Sequence, residues 1–588
     1  MSGPQVRRYT FHRFRVPTAS LRESLLVSVA LDPNATVNDL ADRFWDGVLE
    51  RDPLWATVLG DERFNDRWPD LGADGRAADE AAYRSVLEEA NAIPADGLDP
   101  EQIITRDLLI LVAENQLEAL AQRQYQLAVD HMSGPQIWPA HAAQYQPADT
   151  PERIELLLAR YAAYPAMIGQ YVSTLAEGVA DGRTAAVVPV QRAIEQIERL
   201  LAMPAVDAPA TTMVQVGEDD RSRIAAAVEE HVYAGLRRLH EYLEQEYAPN
   251  ARQEPGLSAT PGGDEAYRLA IRMQTTLATT AEEVHAFGLA DLEAIEAEKD
   301  EIARRLGLAD RHALREALAE DPANHTDDPE AIVRLAQEQT DRAYAAAPQY
   351  FGRLPSANCY VKPVEAYREV ESPPAFYMPP SVDGSRQGQY YINTYQPMER
   401  QLHKFAAITF HEATPGHHFQ IGIEMELEGL PAFRTLGARM AGVAYVEGWG
   451  LYCERLADEM GLYASDEERL GMLDAQSFRA ARLVVDSGLH AMGWSREQAI
   501  QFMDERGALP PVDAAIEVDR YTIWPGQALS YKLGQREIER ARAEVSAAMG
   551  DRFDLRAFHD QVLAHGSLPL ATLRREIPGW VEAAVSAP

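Results

Sequence analysis

The sequence predicts a mainly α-helical fold, and three observations carry that prediction. Alanine, the strongest helix former, recurs along the whole chain. Apolar residues return at spacings of three and four in one segment after another. Strand-like patterning is confined to one short run, 389–395, between turn signals. The expectation is therefore a large helical domain with a small β-sheet or hairpin beside a candidate active site.

Residues 1–34 read as an N-terminal extension. They carry basic residues, but the apolar run LLVSVAL is only seven residues long, so no secretory signal is expected. No window approaches the ~20 apolar residues of a membrane helix. The two cysteines, Cys359 and Cys453, are too few for a disulfide scaffold and fit a reducing compartment. Cys453 lies in a helical pattern and reads as a small core residue. The expectation is a cytoplasmic protein without a membrane partner. Residues 35–588 then form a single helical domain, with the metal-site half at about 350–588.

Within that domain, Thr150 caps a helix whose first turn holds Pro151 and whose apolar face is Ile154, Leu157, Leu158 and Tyr161. Val190, Ile194, Ile197 and Leu201 repeat the helical period. Thr280 and Glu283 form a capping box ahead of a long helix. The polar, Pro/Gly-bearing stretches 202–222 and 248–265 read as surface loops. The region 371–397 is rich in Pro, Gly, Ser and aromatics and holds the strand-like run. As an edge strand, that run would hold an extended peptide through main-chain hydrogen bonds, with Tyr391 and Asn393 facing it.

The 588 residues include 55 basic and 91 acidic side chains, for a net charge of −36. This argues against nucleic acid as a partner, because phosphate binding needs basic patches. It also argues against docking on anionic lipid. Solubility accounts for the acidity, and the charge does not define the substrate.

The stretch TFHEATPGHHFQ (409–420) resembles an interrupted zinc-binding signature. In H-E-x-x-H, two histidines four apart share one helix face, and the intervening glutamate acts on the attacking water. Here His411 and Glu412 are followed by histidines only at 417 and 418. On a straight helix those positions lie ~9 and ~10.5 Å along the axis, too far to share an ion with His411. Pro415 lacks the N–H that would bond the His411 carbonyl, and Gly416 tolerates unusual dihedrals. A bulge or kink there would return a later histidine to the metal. His417, directly after the glycine, is the first candidate, and His418 is the alternative.

A catalytic zinc site needs a third protein ligand with one position left open. Glu447 supplies it in AYVEGWGLYCERLADEMG, where Val443, Val446, Leu451 and Leu456 mark a buried helix. A buried carboxylate needs a partner, and a metal supplies one. Gly448 and Gly450 allow another helix to approach closely. Glu454, seven residues on, reads as a structural residue on the same face.

HEATPGHHFQ, AYVEGWGLYCERL, RAARLVVDSGLHAMGWSREQAI and WPGQALSYKLGQREI together resemble the bacterial family catalogued as domain of unknown function 885. That family is similar to the gluzincin metallopeptidases, which include helical carboxypeptidases and peptidyl-dipeptidases. The resemblance runs from about residue 35 to the end. It implies a helical fold with a deep cleft, a zinc ion and peptide hydrolysis. It also implies a tyrosine on a late helix that stabilises the oxyanion. Tyr531 is the first candidate for that role and Tyr521 the second.

Arg482, Asp486 and His490 share one helix face. Asp486 would orient a metal-bound histidine or pair with Arg482, and His490 is a candidate catalytic residue. Arg520 or Lys532 would hold a substrate carboxylate. The expected function is a zinc-dependent hydrolase of short peptides, carboxypeptidase- or dipeptidase-like, with Glu412 as general base. The alternatives are an amidase acting on a non-protein amide or amino-acid conjugate, and a silent metal- or peptide-binding protein.

Overall fold

A computed structural model of the protein describes residues 33–365, 369, 373–380 and 386–586. Apart from its last two residues, the expected N-terminal extension lies outside them. Helices run from Pro33–Arg51 to Leu570–Ser586, and the fold is mainly α.

The local signals act as the sequence implies. The Thr150 side chain accepts the N–H of Arg153 and starts a helix, Pro151–Ala180, that buries Ile154, Leu157 and Tyr161. Val187–Ala202 packs beside it through Val190 and Ile197. At Thr280 both bonds of the capping box form, opening Ala281–Arg305. The stretches 202–222 and 248–265 are corrected: each contributes to the interior. Ala208, Thr211 and Val214 are buried in the first, and Ala251, Leu257 and Thr260 in the second. Gly256 is pressed against the end of a neighbouring helix, where a Cβ would stand 1.8 Å from the Leu489 carbonyl oxygen.

The C-terminal half is organised around Asp466–Ala491, which is buried along most of its length. Ala281–Arg305 lies against it, closely enough that a Cβ on Gly288 would meet Leu483 at 2.8 Å. A second helix pair, Ala444–Glu459 and Ser530–Met549, meets glycine to glycine. A Cβ on Gly448 would lie 2.3 Å from the carbonyl carbon of Gly534. Such contact needs two residues without side chains.

Three strands form the sheet: β1 (Cys359–Pro363), β2 (Ala375–Met378) and β3 (Gly388–Ile392), in the order β1-β3-β2. β3 pairs in parallel with β1 and antiparallel with β2. The strand-like run is thus central rather than at an edge. Its main-chain groups are used by both neighbours, and Tyr390 and Ile392 are wholly buried. A peptide cannot add to it. Among the described residues, no helix is long and apolar enough to cross a membrane.

Candidate metal centre

The interrupted signature is resolved by two helices. Phe405–Glu412 ends at the His-Glu pair, and His417–Met425 begins at the next histidine. Between them Ala413 and Gly416 adopt non-helical dihedrals, and the Thr414–Pro415 peptide is cis. The expectation of a kink or bulge in one helix is corrected to a complete break. Gly416 is obligatory in it, because a Cβ there would lie 1.9 Å from the His411 carbonyl oxygen. The Pro415 carbonyl accepts the Trp449 indole N–H at 3.0 Å and the buried Cys453 thiol at 3.3 Å. These bonds fix the break onto the helix that carries Glu447.

His411, His417 and Glu447 come together from three helices. One ligand atom from each lies within 4.8 Å of the others. Glu447 Oε2 is 3.6 Å from His411 Nε2 and 3.5 Å from His417 Nε2. Ligands of a tetrahedral zinc with bonds of ~2.0–2.1 Å stand about 3.4 Å apart, so the donor set fits one ion. Both imidazoles are buried, while 20% of the Glu447 side chain reaches solvent. Gly450 is required for a reason the sequence reading missed. It faces the His411 imidazole, which a Cβ would meet at 2.8 Å.

His411 Nδ1 donates to Glu454 Oε1 at 2.9 Å, leaving Nε2 turned toward Glu447. Burial alone would lower the His411 pKa, but the bonds to Glu447 and Glu454 push it up to about 9. Burial would raise that of Glu447, yet His411 and His417 hold it well below the usual carboxylate range. Glu454, expected to be merely structural, orients the first ligand in the manner of a carboxylate–histidine–metal triad. It is held in turn by Gln476 Nε2 at 3.1 Å, and Gln476 Oε1 accepts Lys532 Nζ at 2.6 Å. Lys532 is paired with Asp291 at 2.9 Å.

The other expected site residues divide into two groups. Glu412 ends the His411 helix, half-buried, with no hydrogen-bond partner among the described residues. The Tyr531 ring lies 6.4 Å from the His411 ring, nearly parallel to it. Burial and the Glu447 carboxylate raise its pKa against the opposing pull of Arg482, Arg520 and Arg479, so the phenol stays protonated as a donor.

The remaining residues are engaged elsewhere. His418 faces the sheet, with Nδ1 2.9 Å from the Tyr377 hydroxyl and Nε2 3.0 Å from the Ala357 carbonyl. That leaves His417 as the ligand the geometry offers. Both His490 nitrogens serve the backbone: Nδ1 accepts Leu257 N–H at 3.2 Å, and Nε2 donates to Tyr521 O at 3.0 Å. Asp486 accepts from the Tyr267 hydroxyl and Gly526 N–H, and so orients no metal ligand. The Tyr521 hydroxyl accepts Arg482 Nε at 3.0 Å. Arg520 binds Glu517 and Gln527, and Lys532 is committed as above. The Tyr391 hydroxyl donates to Gln389 while its ring stacks on Phe376, and Asn393 bonds backbone groups of Glu369 and Tyr395. A cavity of about 580 Å³, lined by residues including Trp138, Tyr171, Arg252 and Trp524, lies apart from the cluster, and none of the three ligands lines it.

Among solved structures, one from Colwellia psychrerythraea, described as a candidate lipoprotein, is 26% identical with a TM-score of 0.86. The match covers 94% of this chain and 100% of that one. Another, from Shewanella oneidensis and described as a candidate lipoprotein of unknown function, is 18% identical with a TM-score of 0.75. It covers 92% of this chain and 99% of its own, and at that identity the likeness is one of fold. No curated protein matches. Residues 53–577 match the bacterial proteins of unknown function grouped as DUF885. That span is most of the chain, including the sheet, the broken helix and the three candidate ligands, so the chain belongs to this family.

Proposed function

We propose that the protein is a zinc-dependent hydrolase that cleaves amide bonds of short peptides. One observation carries the reading: two imidazoles and a carboxylate from three helices converge within 4.8 Å, with a glutamate adjoining the first ligand. The resemblance to gluzincin peptidases points the same way.

Zinc, when bound, supplies Lewis-acid polarisation of the carbonyl and of water. Glu412, half-buried and without a side-chain hydrogen bond among the described residues, takes a proton from the attacking water and passes it to the departing amine. The Tyr531 phenol, kept protonated by its surroundings, donates to the oxygen on which charge develops. Glu454 holds His411 in the tautomer and orientation that a ligand needs.

Elemental analysis of purified protein tests the centre. The wild type should carry about one zinc per chain, and so should His418→Ala, whereas His417→Ala and Glu447→Ala should lose most of it. Glu412→Gln should keep its zinc and lose turnover of a short-peptide panel by about 10²–10⁴-fold. A wild type that takes up no zinc after dialysis against it, or a Glu412→Gln variant with full turnover, defeats the proposal.

A further inference from the structure

Arg479 and Arg482 flank the Tyr531 ring, and Arg520 joins Arg482 at Glu517, a local excess of positive charge in a chain whose net charge is −36. The Arg482 guanidinium lies 4.6 Å from the ring centroid and that of Arg479 lies 5.8 Å away. Arg482 and Arg520 share one carboxylate, Glu517, at 3.0 and 2.6 Å. Arg479 has no acidic partner among the described residues, and its only hydrogen bond there is a long one, 3.5 Å to the Ala475 carbonyl. The group therefore holds three cations against one anion.

A second observation concerns hydrogen-bond capacity. Arg482 Nη1 and Arg479 Nε are buried without a partner. A charged donor buried without an acceptor is costly, and an arriving carboxylate would relieve that cost. Both belong to Asp466–Ala491, one turn apart. The ring they flank is the one lying beside His411.

We propose that Arg479, together with the open Nη1 of Arg482, receives the carboxylate of a substrate whose amide lies at the His411–His417–Glu447 centre, so that the enzyme cleaves next to a free C-terminus. This rests on the hydrolase reading above and narrows its substrate class. Arg520 and Lys532, which the sequence suggested for this role, are occupied by Glu517, Gln527, Asp291, Gln476 and Gln535. The route from the metal ligands to the arginines crosses one phenol ring, in steps of 6.4 and 4.6 Å. An extended peptide covers about 3.3–3.6 Å per residue, so the carboxylate sits one to three residues past the scissile bond. A guanidinium matches a carboxylate in shape as well as charge.

Calorimetry on zinc-loaded Glu412→Gln protein tests this without turnover. The probes are tetra-alanine and tetra-alanine amide, which differ only in the terminal charge. The acid should bind at least about tenfold more tightly than the amide. Adding Arg479→Gln should bring that ratio close to one, and Arg479→Lys should restore part of it. Equal affinities for acid and amide, no binding of either, or an unchanged ratio in Arg479→Gln overturns the proposal. The hydrolase reading fails on a different result, absence of zinc or of turnover in the wild type, so the two failures are distinct.

Discussion

Glu454 shows how much of the candidate centre depends on a residue outside the three that converge. Its carboxylate fixes the His411 ring from behind, at 2.9 Å, and is itself 1% exposed. Glu454→Gln should weaken zinc binding about 10–100-fold, read by competition with a chromophoric chelator, while the helix content is kept. An unchanged affinity would mean that the ring is held by packing alone. The three candidate ligands are legible in the sequence because His411, Glu412 and the later histidines sit in one short motif, and Glu447 is an acid among apolar residues at the start of its helix. The role of Glu454 is not, since it depends on which face of Phe405–Glu412 turns toward Ala444–Glu459. His490 and Lys532 mislead for the same reason: their patterns suit chemistry, but His490 is held by the backbone of Leu257 and Tyr521, and Lys532 by the side chains of Asp291, Gln476 and Gln535.

At the scale of elements, the break at 413–416 and the glycine contact at 448 and 534 together place the three candidate ligands. Gly448 follows Glu447 directly and lets Ala444–Glu459 settle onto Ser530–Met549, the helix that also presents Tyr531. Gly448→Ala forces the backbones apart and should cost about 1–3 kcal/mol. It should also lower zinc affinity, because the displaced helix carries a ligand. Thermal unfolding and metal competition read the two effects. Gly579→Ala, inside Leu570–Ser586 where a Cβ meets nothing within 4 Å, is the control for overlap and should raise stability by up to about 1 kcal/mol while leaving zinc affinity unchanged. The helices were legible from period and caps, and Thr150 and Thr280 act as their sequence implies. The sheet order was not: GQYYI reads the same at an edge or in the centre, and only Cys359–Pro363 and Ala375–Met378 decide it.

For the whole molecule, several buried imidazoles tie distant parts of the chain together in neutral form. Burial lowers the pKa of His403 to about 4, of His490 to about 3 and of His559 to about 4. A histidine whose folded pKa is depressed contributes stability above its unfolded value, ~6.5, and loses it as the pH falls toward the folded value. Asp486, raised to about 7 by burial, acts in the opposite direction. The wild type should therefore lose about 1.4 kcal/mol more per pH unit between pH 6 and 4 than His490→Gln, whose side chain does not titrate. Denaturant midpoints across that range measure the difference, and parallel curves would contradict it.

In an uninterrupted helical signature, two ligands share one rigid rod and the ion finds them already in place. Here each of the three rides on its own helix: Phe405–Glu412, His417–Met425 and Ala444–Glu459. An ion bound among them would act as a reversible cross-link, closing a loop of chain between every pair of ligands. Part of its binding energy would then appear as mechanical order in the surrounding backbone. Amide protons of those three segments would exchange with solvent together, slowed by zinc and released by a chelator, with the sheet and the break moving as one unit.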